Sequence, residues 1–333
     1  MNERRRILLR RLSDSAGYWI VPAVMLAGLA LMPGTPWVTL TVAGVAMGVI
    51  VFMAAAGMSL VFGLMDVLNF AHGAFITFGA FVAASVFAAL GAWARADALP
   101  LNLAVVAAAL VAASIVAGAV GWFCERVIIR PVYRAHLKQI LVTIGALIVA
   151  EQIVPVIWGG VPVAVPRPET LKGAFLLGDV AIEKYRVLCI AVGLVIYAAM
   201  YAALARTRIG MVIRAGVANR EMVQAMGYRI DALFVGLFVA GSALAGFGGV
   251  MWAAYNELIT ASIGNQMMIL VFIVIIIGGL GSIPGTFTGA LLVGLTTNYV
   301  GYLLPKLALG STLLLMVLVL LWKPRGLFPA SGG

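Results

Sequence analysis

GMSLVFGLMDVLNFAHGAFITFGAF, residues Gly57 to Phe81, is apolar for most of its length, yet it holds an amide, an imidazole and a glycine close together at Asn69, His72 and Gly73. Both sides of that polar point continue into apolar runs near twenty residues, and such runs recur along the whole 333-residue chain. A helix rises 1.5 Å per residue, so about twenty apolar residues cross a hydrocarbon core about 30 Å thick. The stretch therefore reads as two membrane helices joined by a polar break. A helix ends near Leu64 to Asp66 and the next starts at Ala71, which leaves Asn69 free to cap it and Gly73 to approach a neighbour.

Composition supports this at the scale of the chain. Hydrophobic residues make up 64%, charged residues 10%, and the mean hydropathy is +1.12, far above a water-soluble domain. Leu, Ala, Val and Gly fill continuous blocks without period-two alternation. That pattern excludes a barrel and leaves helices, which satisfy their own backbone hydrogen bonds. The chain reads as one all-α polytopic membrane domain over 1–333. Its segments lie near 18–33, 37–62, 71–92, 101–123, 139–158, 186–204, 232–254, 266–281, 286–304 and 307–322, about ten spans with eight or nine as alternatives.

The net charge of +10 lies in the short connections and forms no aromatic-interleaved stripe, so nucleic acid is not an expected partner. Assigned to alternate faces, sixteen of the 22 Lys and Arg fall on the face that holds both termini. Cytoplasmic loops carry that excess, so both termini are expected in the cytoplasm. By the same count the break at Asn69 lies toward the cytoplasmic side, unless it is re-entrant and reaches the midplane, as non-helical backbone does only where it lines a cavity. MNERRRILLRR precedes an apolar run with no small-residue cleavage site before PGTPW, and reads as the start of an uncleaved first helix. Cys124 and Cys189 fall at opposite faces without metal-ligand spacing, and read as small buried apolar residues.

One cytoplasmic connection, 205–231, is long enough to hold structure of its own. In it Asn219 can cap a short helix, Glu221 lies in the first turn where the helix dipole favours an anion, and Gly227 can end it. Met222, Val223 and Met226 then form an apolar side, flanked by Arg214 and Arg229. Such a knob suits a cleft in a partner protein or an anionic lipid surface. Glu151 and Gln152 stand inside an apolar helix, and an ionisable group at that depth faces either a pathway or a subunit interface.

Catalytic chemistry is missing. There is no phosphate-cradling Gly-x-x-x-x-Gly-Lys-Ser/Thr, no His-Glu-x-x-His, no cysteine cluster and no Gly-x-Ser-x-Gly, so no enzyme, metal or cofactor is expected. On residues alone, two transport classes stay open: a permease driven by a separate motor, and an ion-coupled secondary carrier using Asp66, Glu125 or Glu151. Segments 37–158 and 232–322 allow the inverted halves of such carriers, with no sequence repeat between them.

Several blocks resemble one family in order along the chain. RAGVANREMVQAMGYRIDALFVGLFVAGSALAGFGGVM, from Arg214 to Met251, resembles the coupling-loop region of ABC importer permeases of the branched-chain amino acid family, where a short helix ending in glycine docks into an ATP-binding subunit. Glu221, Ala225 and Gly227 fit that pattern; Met222 and Val223 stand where alanines are usual. The opening stretch resembles the early signature of the LivH-type subunit. ERVIIRPVYRAHLKQILVTIGALIVAEQIV resembles the family's arginine-proline segment, and GGLGSIPGTFTGALLVG its late glycine-rich turn. The resemblance covers roughly Met47 to Leu321.

It implies the ABC importer permease fold in a bacterial inner membrane, in contact with membrane lipid. It also implies a second homologous permease subunit, two cytoplasmic ATP-binding subunits that hydrolyse ATP, and a periplasmic solute-binding protein. Arg214, Glu221, Met222, Ala225, Met226 and Gly227 become candidates for coupling to the ATPase. Asn69, Phe70, His72, Gly73, Glu151, Gly278, Gly279 and Gly281 become candidates for pathway or gate. Few fixed charges line the spans, which suits a small net-neutral or zwitterionic solute. Branched-chain amino acids fit, as do urea, short amides and other amino acids. Urea-type members tend to carry methionine at the position of Phe70 and glutamate at that of Ala74, which tilts this chain away from urea.

Overall fold

The computed structural model describes the backbone of residues 3–65, 69–133, 135–218 and 220–328; the side chains at 3–16, 64, 209, 214, 217, 218, 220, 221 and 309 lie outside the described set. In chain order the helices are α1 (Glu3–Leu31), α2 (Gly34–Met65), α3 (His72–Ala89), α4 (Gly91–Arg95), α5 (Leu99–Cys124), α6 (His136–Trp158), α7 (Lys184–Arg206), α8 (Arg208–Ala218), α9 (Arg220–Ala225), α10 (Ile230–Asn256), α11 (Ile263–Gly278), α12 (Ile283–Leu303) and α13 (Ala308–Trp322). Among the described residues the helices other than α4, α8 and α9 are ten, and they fall one for one on the ten apolar segments. Six of them, α2, α3, α5, α6, α7 and α10, are long and apolar enough to cross a membrane by themselves. The chain is a polytopic helical membrane protein.

Local chemistry sets the boundaries. Pro100 and Pro284 sit in the first turns of α5 and α12, where a missing N–H costs nothing. The hydroxyl of Ser282 caps α12 by accepting from the Gly285 N–H. After α5 the chain relaxes into a π-turn at Glu125–Ile129 and a 3₁₀ turn at Arg130–Val132, because Pro131 donates no hydrogen bond. The sequence reading expects one short helix in the 205–231 connection; the structure has two. Gly210, Ile213 and Gly216 form a buried stripe on α8, whose amphipathic pattern the sequence reading missed.

α2 is the centre of the molecule, 89% of its apolar window being buried, whereas α6 and α7 are peripheral at 22% and 11%. Lipid tails offer no hydrophobic drive between helices, so close contact depends on small residues. α2 supplies them at Gly44 and Gly48 against α12, at Gly57 against α10 and at Gly63 against Gly281.

These contacts are reciprocal. Gly57 meets the backbone of Gly241 on α10, and Gly241 meets that of Gly57; Gly73 on α3 meets Gly264 on α11, and Gly264 meets Gly73. Thr286 on α12 donates to Ser59 on α2 (2.8 Å), and the matching place on the other side is Gly121 of α5 against Ser242 of α10. α10 runs against α2, since Gly241 meets Gly57 and Gly248 meets Ala54. This is the packing of two inverted halves, α2–α3–α5 and α10–α11–α12. The sequence shows no repeat because only the crossing points need be small.

The segment expected as an external loop carries strands β1 (Val163–Ala164), β2 (Ala174–Leu177) and β3 (Val180–Glu183); β2 and β3 form a hairpin, and β1 pairs with β4 (Leu258–Ile259) after α10. Arg167 fastens this layer. Its Nε donates to the Ala254 carbonyl (3.0 Å), its Nη2 donates to the Tyr255 carbonyl (2.9 Å), and it pairs with Glu183 and Glu257. A cation at the C-terminal carbonyls of a helix satisfies acceptors that have no partner within it. On the opposite face Phe328 lies edge-on to Tyr18, with ring centroids 4.8 Å apart, so the two ends of the described chain meet. Cys124 and Cys189 are buried and free, without a disulfide.

A Cβ at Gly57 would collide with the Gly241 backbone, and overpacking of this kind costs about 1–3 kcal/mol or more. Gly57→Val is expected to abolish the monodisperse peak of the detergent-solubilised chain in size-exclusion chromatography. Gly145→Val, where nothing lies within 4 Å of the added carbon, is expected to keep it.

Candidate functional site: the break at Asn69, the glycine seam and the coupling helix

α2 continues for eleven residues beyond Ala54, yet the Nε2 of His72, the first residue of α3, donates to the Ala54 carbonyl at 2.8 Å. About 16 Å of α2 lies past that level. α3 therefore starts beside the middle of α2, and the Asn69 turn sits buried inside the helix bundle. Asp66 itself lies outside the described residues.

The turn starts α3 differently from the expected cap. The helix begins at His72 rather than Ala71, and no side chain caps it. The amides of His72, Gly73 and Ala74 donate instead to the carbonyls of Asn69, Phe70 and Ala71, each three residues back. A tight turn has already met those donors, so the Asn69 side chain has no cap to make. The Phe70 N–H donates to the Thr143 hydroxyl on α6 (3.3 Å), and the Phe70 ring lies 5.0 Å from that of Phe272 on α11. Asn69 is only 1% exposed, and its Oδ1 has no hydrogen-bond partner.

α11 lies antiparallel beside this point. The Gly264 N–H donates to the Thr77 hydroxyl (3.1 Å), and Met268 covers Gly73. Two helix N-termini, each with partial positive charge, thus overlap where the inverted halves meet. Their first amides are already satisfied and the Gly73–Gly264 contact is closed, so the arrangement is a seam. Thr77, Thr143 and Gly264 are the members the sequence reading missed. A hydroxyl inside an apolar run was the only signal for the two threonines.

The remaining pathway candidates divide. Gly278 packs against Gly285, Gly279 (φ +102°) and Gly281 (φ +76°) form the α11–α12 turn, and Gly281 meets Gly63 near the end of α2. These glycines are needed for conformation and close approach. Glu151 is not part of the Asn69 cluster. Its neighbours Leu147 and Ala150 pack on Ala74 and Phe78, while Glu151 is half-buried on α6 with its Oε1 unpartnered.

α9 ends in a double-bonded glycine cap: the Gly227 N–H donates to Gln224 and the Tyr228 N–H to Val223, with Gly227 at φ +88°. Met222, Val223 and Met226 do not share one face as expected. Val223 is 4% exposed and anchors α9 to the body, whereas Met222 (61%) and Met226 (68%), four residues apart, point outward with Ala225. Asn219 and the side chains of Arg214 and Glu221 lie outside the described residues.

A sequence profile of the family described as branched-chain amino acid transport system, permease component, matches residues 40–322. The chain belongs to this permease family. It is 29% identical over 293 residues to the high-affinity branched-chain amino acid transport system permease protein LivH of Salmonella typhimurium, covering 85% of this chain and 92% of LivH. It is 29% identical over 298 residues to BraD of Pseudomonas aeruginosa, covering 85% and 93%. It is also 26% identical over 242 residues to the probable permease protein LivM of Methanocaldococcus jannaschii, covering 66% and 68%. No solved structure matches at a significant level. In this permease the Asn69 turn and the glycine seam lie together at the contact between the two halves.

Thr77→Val leaves the Gly264 N–H buried without a partner, which costs about 1–3 kcal/mol. Thermal unfolding of the purified permease is expected to shift down accordingly, with Thr77→Ser close to wild type; equal midpoints for Val and Ser variants would remove the hydroxyl from the seam.

Proposed function

We propose that the chain is one of two permease subunits of an ATP-driven importer in a bacterial inner membrane, carrying branched-chain amino acids into the cytoplasm. The cation-rich face is the cytoplasmic one. A periplasmic solute-binding protein delivers the solute, and two ATP-binding subunits supply the motor that this chain lacks. The family supports this reading. The observation that carries it is α9: a short helix anchored by Val223, ended by Gly227, and presenting Met222 and Met226 outward.

Exposed methionines four residues apart form an adaptable apolar knob suited to a cleft in a motor subunit. When the motor closes, the force enters through α9 and Val223 and reaches α10, which packs on α2 at Gly57 and Gly241. In this mechanism the Gly73–Gly264 seam is the gate, and His72 and Thr77 hold its two sides. The 205–231 segment is the coupling loop. Aliphatic amino acids suit a path with few fixed charges, and Phe70 and Ala74 keep urea the less favoured solute.

The reciprocal halves favour a second reading, since ion-coupled carriers share that architecture. Reconstitution separates the two. The full importer is expected to accumulate leucine only with ATP and the binding protein; uptake by this chain alone on an ion gradient would establish the carrier instead.

Met222→Glu with Met226→Glu is expected to abolish co-purification of the ATP-binding subunits while leaving membrane insertion intact. A four-subunit complex that survives both changes would show that α9 is not the docking element. Gly227→Val, forced into left-handed backbone, is expected to lower coupled ATP turnover several-fold, since that strain costs roughly 1–2 kcal/mol.

A further inference from the structure

A cavity of about 510 Å³ opens on the cation-rich face between the end of α2, the π-turn after α5, and the junction of α9 with α10. Arg126 and Arg130 line it from the segment after α5, and Arg229 from the start of α10. Met65, Ile230 and Phe234 give it a buried apolar floor. Glu125 and Asp231 line the same cavity; Glu125 is 5% exposed and its Oε2 has no hydrogen-bond partner. Among the described residues no cation forms an ion pair with Glu125, although arginines flank the cavity it lines.

A buried carboxylate oxygen without a partner is costly, so this position is satisfied best by a donor from outside. An inorganic anion would match the guanidiniums and leave Glu125 unpaired. A simple cation would match Glu125 but add positive charge to a lining that already sets three guanidiniums against two carboxylates. A ligand with an ammonium and a carboxylate on one carbon answers both, through charge-assisted hydrogen bonds at each end. The apolar floor then takes an aliphatic side chain, and the volume lies within the roughly 300–1,000 Å³ of small-ligand sites.

We infer that this cavity is a cytoplasmic-side binding site for a zwitterionic aliphatic amino acid, with the ammonium on Glu125 and the carboxylate on Arg126, Arg130 or Arg229. The inference rests on the amino-acid reading above and makes the ligand the transported product. Gln224 of α9 and Tyr228 also line the cavity, and Met65 ends α2 on its far side. An occupant therefore joins the coupling helix to the helix at the centre of the bundle.

The test uses the assembled importer, permease pair with ATP-binding subunits, in nanodiscs without the binding protein, titrated calorimetrically with leucine. Wild type is expected to bind leucine, and Glu125→Gln to weaken that binding ten-fold or more. 4-Methylpentanoate, which lacks the ammonium, and 3-methylbutylamine, which lacks the carboxylate, are each expected to bind at least ten-fold more weakly than leucine. Should Glu125→Gln fail to assemble, Arg229→Gln is read in its place with the same expected loss. Unchanged leucine affinity in the variant overturns the inference. So does 4-methylpentanoate binding as tightly as leucine, or displacement of bound leucine by phosphatidylglycerol equally in wild type and variant, either of which makes the cavity an anion or lipid-headgroup site. ATP-dependent leucine uptake with the binding protein present separates the two levels. No uptake means that the amino-acid reading has failed; uptake without leucine binding to the importer means that this inference alone has failed.

Discussion

In a bilayer, apolar surface gains little by leaving lipid for another helix, so tight packing depends on how closely two backbones approach. In this chain that approach is made by pairs of glycines. Gly57 with Gly241, Gly73 with Gly264, and Gly63 with Gly281 leave no room for a Cβ at the crossings that join the two halves. Hydrogen bonds then fix what packing brings together: Thr77 to Gly264, His72 to Ala54, Thr286 to Ser59.

The same constraint explains why polar residues cluster where they do. Backbone that leaves the helical state inside a membrane must find partners within the protein. The turn at Asn69 does so through three carbonyls of its own and the hydroxyl of Thr143. Arg167 does the equivalent work at the C-terminal end of α10. Among the described residues that accounting fails to close at Asn69, Glu125, Gln139, Glu151 and Arg186, each with one buried polar side-chain atom unpartnered. In a protein that moves a polar solute, the unclosed positions are the ones to examine first.

Much of the fold was legible without coordinates. Apolar runs of span length mark ten helices, to within a few residues except at the start of α1, because a membrane demands length and continuity and tolerates little else. Gly227 was readable as a helix end, since only glycine adopts its left-handed backbone without strain. Less was legible in the site. Asn69 looked like a cap and is not one. Met222, Val223 and Met226 looked like one face, and the structure turns Val223 the other way. α8 was missed although its sequence is strongly amphipathic.

The sequence by itself determined the class of protein, the order of its long apolar helices, and which face carries the cations, because each depends on local composition along one chain. The tertiary structure alone decided that the halves are inverted and reciprocal, that the Asn69 turn is buried inside the bundle, and that Glu125 shares a cavity with Arg229. Those facts depend on which backbones approach closely enough to exclude a side chain. A glycine in the sequence permits that approach; only its partner across the crossing shows that it is used.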